Sequence, residues 1–458
     1  MASPQPTNTS QFSCMKTTLA VLFGLTALYS AHFFNLHLQF YSALQHPYVQ
    51  RIIHIPFSDI LRDLQLQKVE SGKAQSYGGS ALKAFSRHVV CVGDLHGDYP
   101  NALRVLNFSG VVDEQGNWSG KTDFFVQTGD IIDRGDDTIK LFTWMDRLRG
   151  QAIAAGGTVL SNLGNHEFMN AIGDWRYVYE SEIKTFGTIE ARQRMISNGR
   201  IGRSWAKNYT VTTRLPLHSY LGPPNTPYPP VRSQVHFEQD YDGSEVLEPS
   251  HIRELDLKDG PLSHVALSFV HGGLSPTYGA LVPFPEKINE IGSSLLQKLQ
   301  KREQPAPYPI NPHYPGLPES ATAEEHELYD SNGPLWYRGW AYEPEEKVCV
   351  DVEEVLKNTG TRRMIMGHTP DFHNIVSRCN GKIIIIDTGI SHAYGGVLSA
   401  LSVHYTLTPI IDPENTGEQQ RWTEREVVKA VYEEFQHLVA DEEREVVGKF
   451  TIQANTGN

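Results

Sequence analysis

Five short fragments bring together residue types that can do chemistry as a set: Gly93-Asp94-Leu95-His96-Gly97, Gly129-Asp130-Ile131-Ile132-Asp133-Arg134-Gly135, Gly164-Asn165-His166-Glu167, His271-Gly272-Gly273 and Gly367-His368-Thr369. Carboxylates, imidazoles and an amide oxygen suit hard-to-borderline divalent cations. Asp94, His96, Asp130, Asn165, His271 and His368 supply enough of them for two ions. His166 and Arg134 are left over, an imidazole that can move a proton and a planar fork of donors that fits a phosphoryl group. The expectation is metal-assisted hydrolysis of a phosphate ester.

The elements that must position these residues can be read from apolar periodicity. Residues 87–92, 123–127 and 158–160 are β-branched or aromatic runs, each ending shortly before a motif. They predict strands. Asp94 and His96 flank Leu95, so at a strand end both can face one way while Leu95 faces the core. Residues 100–108 predict a helix with Ala102, Leu103 and Leu106 on one face, and 136–155 predict a longer one with Ile139, Phe142, Met145 and Leu148 at helical spacing. Asp130 follows Asp94 by 36 residues and Asn165 follows Asp130 by 35. Each interval fits one strand–helix crossover, so three neighbouring parallel strands can deliver their ligands side by side. This is α/β layering, with the motifs at the carboxyl ends of strands. Further on, Thr423 to Glu426 fits a capping box opening a helix with Val427, Val431, Phe435 and Leu438 on one face, and the acidic run 441–445 reads as its solvated side.

Composition bounds the rest. The chain has 458 residues, 40% hydrophobic and 20% charged, which describes a globular protein of one large or two ordinary domains. A formal charge of −13 and the lack of a Lys/Arg block argue against a nucleic-acid partner. Of four cysteines, Cys14 precedes the folded part and Cys91 sits in a predicted buried strand, leaving Cys349 and Cys379 as the plausible disulfide pair. Residues 19–36 are uncharged and largely apolar, long enough for a membrane helix. A cleaved signal peptide and a buried core helix are the alternatives, and a poor cleavage pattern weighs against the first. The division is a polar tail at 1–16, an anchor or signal segment at 17–40 and a connector at 41–85. A main domain at 86–410 has Pro-rich insertions near 215–262 and 303–320, and a C-terminal helix and tail occupy 411–458. Glycosylation sequons at Asn107, Asn117 and Asn208 favour a luminal domain, whereas the flanking charges, Lys16 and Arg51, balance. A single-pass membrane protein of the secretory pathway is expected.

The Gly-Asp-x-His-Gly, Gly-Asp-x-x-Asp-Arg-Gly and Gly-Asn-His-Glu fragments resemble the metallophosphoesterase superfamily, in its phosphoprotein phosphatase branch. With Pro334-Leu335-Trp336-Tyr337-Arg338-Gly339-Trp340 and Ile386-Asp387-Thr388-Gly389-Ile390-Ser391, the chain is most similar to the Shewanella-like (bacterial-like) phosphatases, over roughly residues 86–408. The resemblance implies a calcineurin-like fold, a layered β-sandwich flanked by helices. It implies that Asp94, His96 and Asp130 hold one metal and that Asp130 bridges to a second, completed by Asn165, His271 and His368. Mn²⁺ is the metal first expected, with Fe and Zn as alternatives. A metal-bridging hydroxide would attack phosphorus in line, Arg134 and Arg338 would clamp the phosphoryl oxygens, and His166, oriented by Asp133, would protonate the leaving group. His392 is tempting as a further ligand, but the set is complete without it, which leaves a supporting or substrate-side role. Arg203 and Lys207 resemble a substrate-side segment of these enzymes, and an exposed basic face explains them equally well. The implied substrate is a phosphoprotein, carrying tyrosine or serine/threonine phosphate, or a small phosphate ester. A hydrolase of dinucleoside polyphosphates or polyphosphate is the first alternative, although relatives of that type commonly alter the Asp133-Arg134 pair. An inactive membrane-anchored binding module is the second, and the complete ligand set argues against it.

Overall fold

A computed structural model describes residues 83–230, 258–302, 315–411 and 420–450. The apolar runs form the strands expected of them: β1 (Phe85–Val92), β2 (Phe124–Gln127) and β3 (Thr158–Asn162), separated by helices α1 (Tyr99–Phe108) and α2 (Thr138–Ala154). Helix α3 (Asn165–Ile172) follows β3 directly. Three further helices, α4 (Glu180–Phe186), α5 (Ile189–Ser197) and α6 (Arg200–Asn208), precede the short strands β4 (Tyr209–Thr210) and β5 (Thr212–Pro216). Beyond them lie β6 (Ala266–Val270), α7 (Glu286–Lys301), α8 (Glu345–Thr359), β7 (Arg363–Met366), β8 (Val376–Arg378), β9 (Ile383–Ile385) and β10 (Ser399–Pro409). The last strands are β11 (Arg421–Tyr432) and β12 (Gln436–Val447).

Two mixed sheets result, ordered β12-β11-β10-β1-β2-β3-β4 and β5-β6-β7-β9-β8. Strands β1, β2 and β3 pair in parallel as neighbours, and so do β6, β7 and β9. Strand alternation builds two apolar layers. Val89 and Cys91 of β1 face Leu267, Phe269, Ile365 and Ile384 of the second sheet, whereas Val90 and Val92 face Leu106, Leu141 and Met145 of the helices. All four β1 side chains are fully buried, each worth about 1.5–3 kcal/mol of apolar transfer for a residue of Val size. The fold is therefore an α/β sandwich with helices outside. It leaves the carboxyl ends of both parallel triplets on one edge, where ligands collect.

One expectation fails. Residues 421–447 form no helix but the antiparallel pair β11–β12, which extends the first sheet past β10. Trp422, Glu424, Glu426, Val428 and Ala430 all point inward, at period two. Glu424 and Glu426 are buried because Arg362 meets them at 2.7 and 2.8 Å and Arg363 meets Glu426 at 2.6 Å. The acidic run 441–445 lies on β12 rather than on a helix face.

Cys349 and Cys379 form a disulfide, and Cys91 is free and buried. The expected anchor at 17–40, Cys14 and much of both Pro-rich insertions lie outside the described residues. Among the described residues no helix is long and apolar enough to cross a membrane.

Candidate metal centre

Each motif sits just past a strand: Asp94 after β1, Asp130 after β2, Asn165 after β3, His271 after β6 and His368 after β7. Five of the six parallel strands thus aim six side chains at one point, and all six are at least 95% buried. Asp130 is central. Its Oδ2 lies 3.2 Å from His271 Nε2, 3.7 Å from His96 Nε2 and 3.8 Å from His166 Nε2. The donor atoms of Asp130, His271 and His368 lie within 4.8 Å of one another, as do those of His96, Asp130 and His166. Asp94 joins through Oδ2, 3.8 Å from His96 Nε2, and through Oδ1, which accepts the His368 backbone N–H at 3.2 Å.

The hydrogen-bond pattern tests whether this cluster suits a cation. His96 Nδ1 meets the Ile132 carbonyl at 3.1 Å and His271 Nδ1 meets the Thr128 carbonyl at 3.0 Å. A carbonyl only accepts, so each Nδ1 carries a proton, and in the neutral ring each Nε2 keeps a lone pair. The His271 lone pair then faces Asn165 Oδ1 at 2.8 Å and Asp130 Oδ2 at 3.2 Å, so acceptors face acceptors. His368 Nε2 is buried with no hydrogen-bond partner among the described residues. Such a convergence of lone pairs is costly when empty and favourable around a positive ion. The residues fit divalent cations.

The electrostatics agree. Burial pushes the His96 imidazole down to about 3 and His368 well below its usual range, so both are neutral, the form that binds metal. Burial, then the carboxylates of Asp387 and Asp130, raise Asp94 well above the usual carboxylate range. Burial pushes Asp387 up to about 6. Burial also acts against ionised Asp130, but the charge that His271 and His166 carry in their protonated forms outweighs it and holds that carboxyl well below its ordinary value, a role that falls to a cation once the His271 nitrogen is bare.

His166 and the arginines line the same space. His166 Nδ1 meets Asp133 Oδ2 at 2.7 Å, and its backbone N–H donates to Asp130 Oδ1 at 2.9 Å. Burial would lower its pKa, but Asp130 and Asp133 raise it. The Arg134 guanidinium is stacked 4.1 Å from the Tyr177 ring centroid and 4.9 Å from that of Tyr394, and its Nε has no hydrogen-bond partner among the described residues. Arg338 Nη1 donates to the His368 carbonyl at 2.9 Å and to Thr369 Oγ1 at 3.1 Å.

Holding this geometry bends the backbone. His96, Asp130, Asp133, Arg134 and His368 all have φ between 41° and 71°, the left-handed region that costs a non-glycine residue energy and clusters at functional sites. Glu167 braces the bent loops. One of its oxygens accepts the N–H groups of Asp130 and Gly164 at 2.9 and 2.7 Å, and the other accepts that of Ile131 at 2.9 Å. Gly164 must lack a side chain, because a Cβ there would lie 2.0 Å from Asp130 Oδ1.

Several residues were invisible as site components in the sequence. Glu167 stood inside a motif without a role, and Tyr177 and Tyr394 carried no signal beyond being aromatic. Asp387, expected at a strand end near the site, does lie there, in contact with Asp94. His392 is 70% exposed, with backbone N and Nδ1 both 2.7 Å from buried Asp98 Oδ2. Arg203 and Lys207 are exposed on α6, where Arg203 donates to the Asn198 carbonyl at 2.6 Å.

Residues 87–372 match the family model described as calcineurin-like phosphoesterase. An uncharacterised protein of Schizosaccharomyces pombe is 35% identical, over 70% of this chain and 79% of its own. Shewanella-like protein phosphatase 2 of Arabidopsis thaliana is 28% identical, over 66% and 71%. The cold-active protein-tyrosine phosphatase of a psychrophilic Shewanella superposes with a TM-score of 0.51 at 21% identity, covering 77% of this chain and 80% of that one.

Proposed function

The chain belongs to the calcineurin-like phosphoesterase family, and on that premise we propose that it hydrolyses phosphate monoesters, those of phosphoproteins carrying tyrosine or serine/threonine phosphate first among them. The observation that supports the reading is the set of imidazole nitrogens and acceptor oxygens converging on Asp130. Asp94, His96 and Asp130 would hold one divalent cation, and Asp130, Asn165, His271 and His368 a second. Without a thiolate in the set, Mn²⁺, Fe or Zn suits it. Such ions supply Lewis acidity towards phosphoryl oxygens and lower the pKa of water.

The remaining work falls to side chains. Arg134, held flat by Tyr177 and Tyr394, presents its fork to two phosphoryl oxygens, and Arg338 adds donors from the Thr369 side. His166, protonated on Nε2 and tethered through Nδ1 to Asp133, gives its proton to the departing oxygen. Full-length protein stripped of metal and then given Mn²⁺ should be screened against phosphotyrosine and phosphoserine peptides and diadenosine tetraphosphate. Metal-dependent release of phosphate from a monoester is expected. Turnover of the dinucleotide alone would reassign the substrate, and binding without turnover of any of them would favour the non-enzymatic module.

A further inference from the structure

Behind His166 lies a buried charge cluster that the chemistry above does not use. Glu182 of α4 and Arg192 of α5 are fully buried, and so is Asp133. Arg192 Nη2 lies 3.2 Å from each Glu182 carboxylate oxygen and 3.5 Å from Asp133 Oδ1. Its Nε and Nη1 have no hydrogen-bond partner among the described residues, and its guanidinium packs 4.5 Å from the Trp175 ring centroid and 5.6 Å from that of Phe186. The cation therefore has two carboxylates to choose between. Asp133 spends Oδ2 on His166 at 2.7 Å, and the Asn170 amide holds both Asp133 oxygens at 2.9 Å and the His166 carbonyl at 2.9 Å.

The geometry points to Glu182 and Arg192 as a positioning pair for the His166–Asp133 couple, in which Glu182 draws the buried cation away from Asp133. A guanidinium and a carboxylate left together in a dry interior form a short, charge-assisted and often bidentate contact. Here the contact to Asp133 is single and long, because Glu182 takes the closer share. Asp133 is thereby kept for the imidazole. Removing the Glu182 charge leaves Arg192 a buried cation with one carboxylate in reach, and breaking one side of such a pair costs far more than removing both. Arg192 would then close on Asp133 and loosen its hold on the His166 ring. The inference rests on His166 as proton donor.

Leaving-group dependence separates positioning from folding. Rates are measured for the full-length, Mn²⁺-loaded protein on p-nitrophenyl phosphate, whose leaving group needs little protonation, and on a phosphoserine peptide, whose leaving alkoxide needs it fully. Complete loss of a general acid costs about 10²–10⁴-fold, so partial misplacement in Glu182→Gln should slow the peptide by at least about 10-fold while leaving p-nitrophenyl phosphate within about 2-fold. The double variant Glu182→Leu/Arg192→Met, which removes both charges, should recover most of the peptide rate. Equal slowing of both substrates by Glu182→Gln, or a double variant as slow as the single one, would overturn the pairing. Should Glu182→Gln fail to fold, Glu182→Asp retracts the charge by one methylene and should show a smaller split of the same sign, and no split would count against the pair. His166→Asn is the reference. If it slows both substrates alike, the proton-donor reading itself falls, whereas a split there with none at Glu182 removes the positioning pair alone.

Discussion

Adding one methyl group at Gly164 should disable the centre while touching no ligand's chemistry. The backbone there is extended, with φ −95° and ψ −178°, so alanine adopts it without torsional strain. The cost is steric. An alanine Cβ would lie 2.0 Å from Asp130 Oδ1 and 2.6 Å from the Asp130 nitrogen, so the carboxylate must retreat by more than about 1 Å to reach ordinary contact. That retreat breaks the bond from the His166 N–H to Asp130 Oδ1 (2.9 Å). A hydrogen bond to a buried charge is worth about 1.5–3 kcal/mol and overpacking adds about 1–3, giving roughly 3–6 kcal/mol in all. A 1 Å misplacement of a reacting group can cost about 10²-fold in rate. Urea unfolding of the metal-free protein, calorimetric Mn²⁺ titration and kcat on p-nitrophenyl phosphate measure the three consequences. Gly150→Ala in α2 is the control, since a Cβ there meets nothing and a mid-helix Gly→Ala change gains about 0.5–1 kcal/mol. Parent-like metal affinity and kcat in Gly164→Ala would show that Asp130 is not held against the Gly164 backbone.

Arg338→Lys replaces a fork that reaches the His368 carbonyl and Thr369 hydroxyl with a point charge, and kcat/KM should fall by about 10-fold; unchanged kinetics would remove Arg338 from the clamp. His218, buried between Phe85 and Tyr405, is pushed down to about 4 from an ordinary 6.5. The unfolded chain therefore binds the extra proton first, and stability that is full above pH 6.5 is lost as the pH falls towards 4. The loss from pH 8 to pH 5 is about 2 kcal/mol, which His218→Phe should remove from the pH dependence of the urea midpoint; an unaltered acid slope would refute the assignment. A tagged full-length chain should stay in the membrane pellet after carbonate washing and shrink on glycosidase treatment. Release into the soluble fraction would reject the anchor, and retention without a shift, together with protease access from the cytosolic side, would reverse the orientation.

The edge of the fold that carries the centre was readable because ligand, glycine and apolar strand recur together. Asp94, Asp130 and Asn165 each stand just past such a run, and chain spacing alone made their strands neighbours. What could not be read is the half of the site held by residues without periodicity or motif. Arg192 lies 59 residues from Asp133, on a helix whose pattern says only that one face is buried. Nor does an aromatic side chain announce that it will stack on a guanidinium, as Tyr177 and Tyr394 do. The misread C-terminal segment has a definite cause. Strand β11 alternates from Arg421 to Ala430, but two of its inward positions are Glu424 and Glu426, which look solvent-facing until Arg362 and Arg363, some 60 residues earlier, are known to meet them. With those two positions counted as polar, the apolar residues Val427, Val431, Phe435 and Leu438 fall at helical spacing.

Side chains converging on Asp130 are proposed to hold two divalent cations on which hydrolysis depends. Elemental analysis of the Mn²⁺-loaded full-length protein and of Asp130→Asn, each paired with p-nitrophenyl phosphate turnover, decides whether they do. About two ions per parent chain are predicted, falling in Asp130→Asn along with activity, because Asp130 is the carboxylate common to both ligand sets. Two ions retained with full turnover in Asp130→Asn, or full turnover by metal-free parent protein, would contradict it.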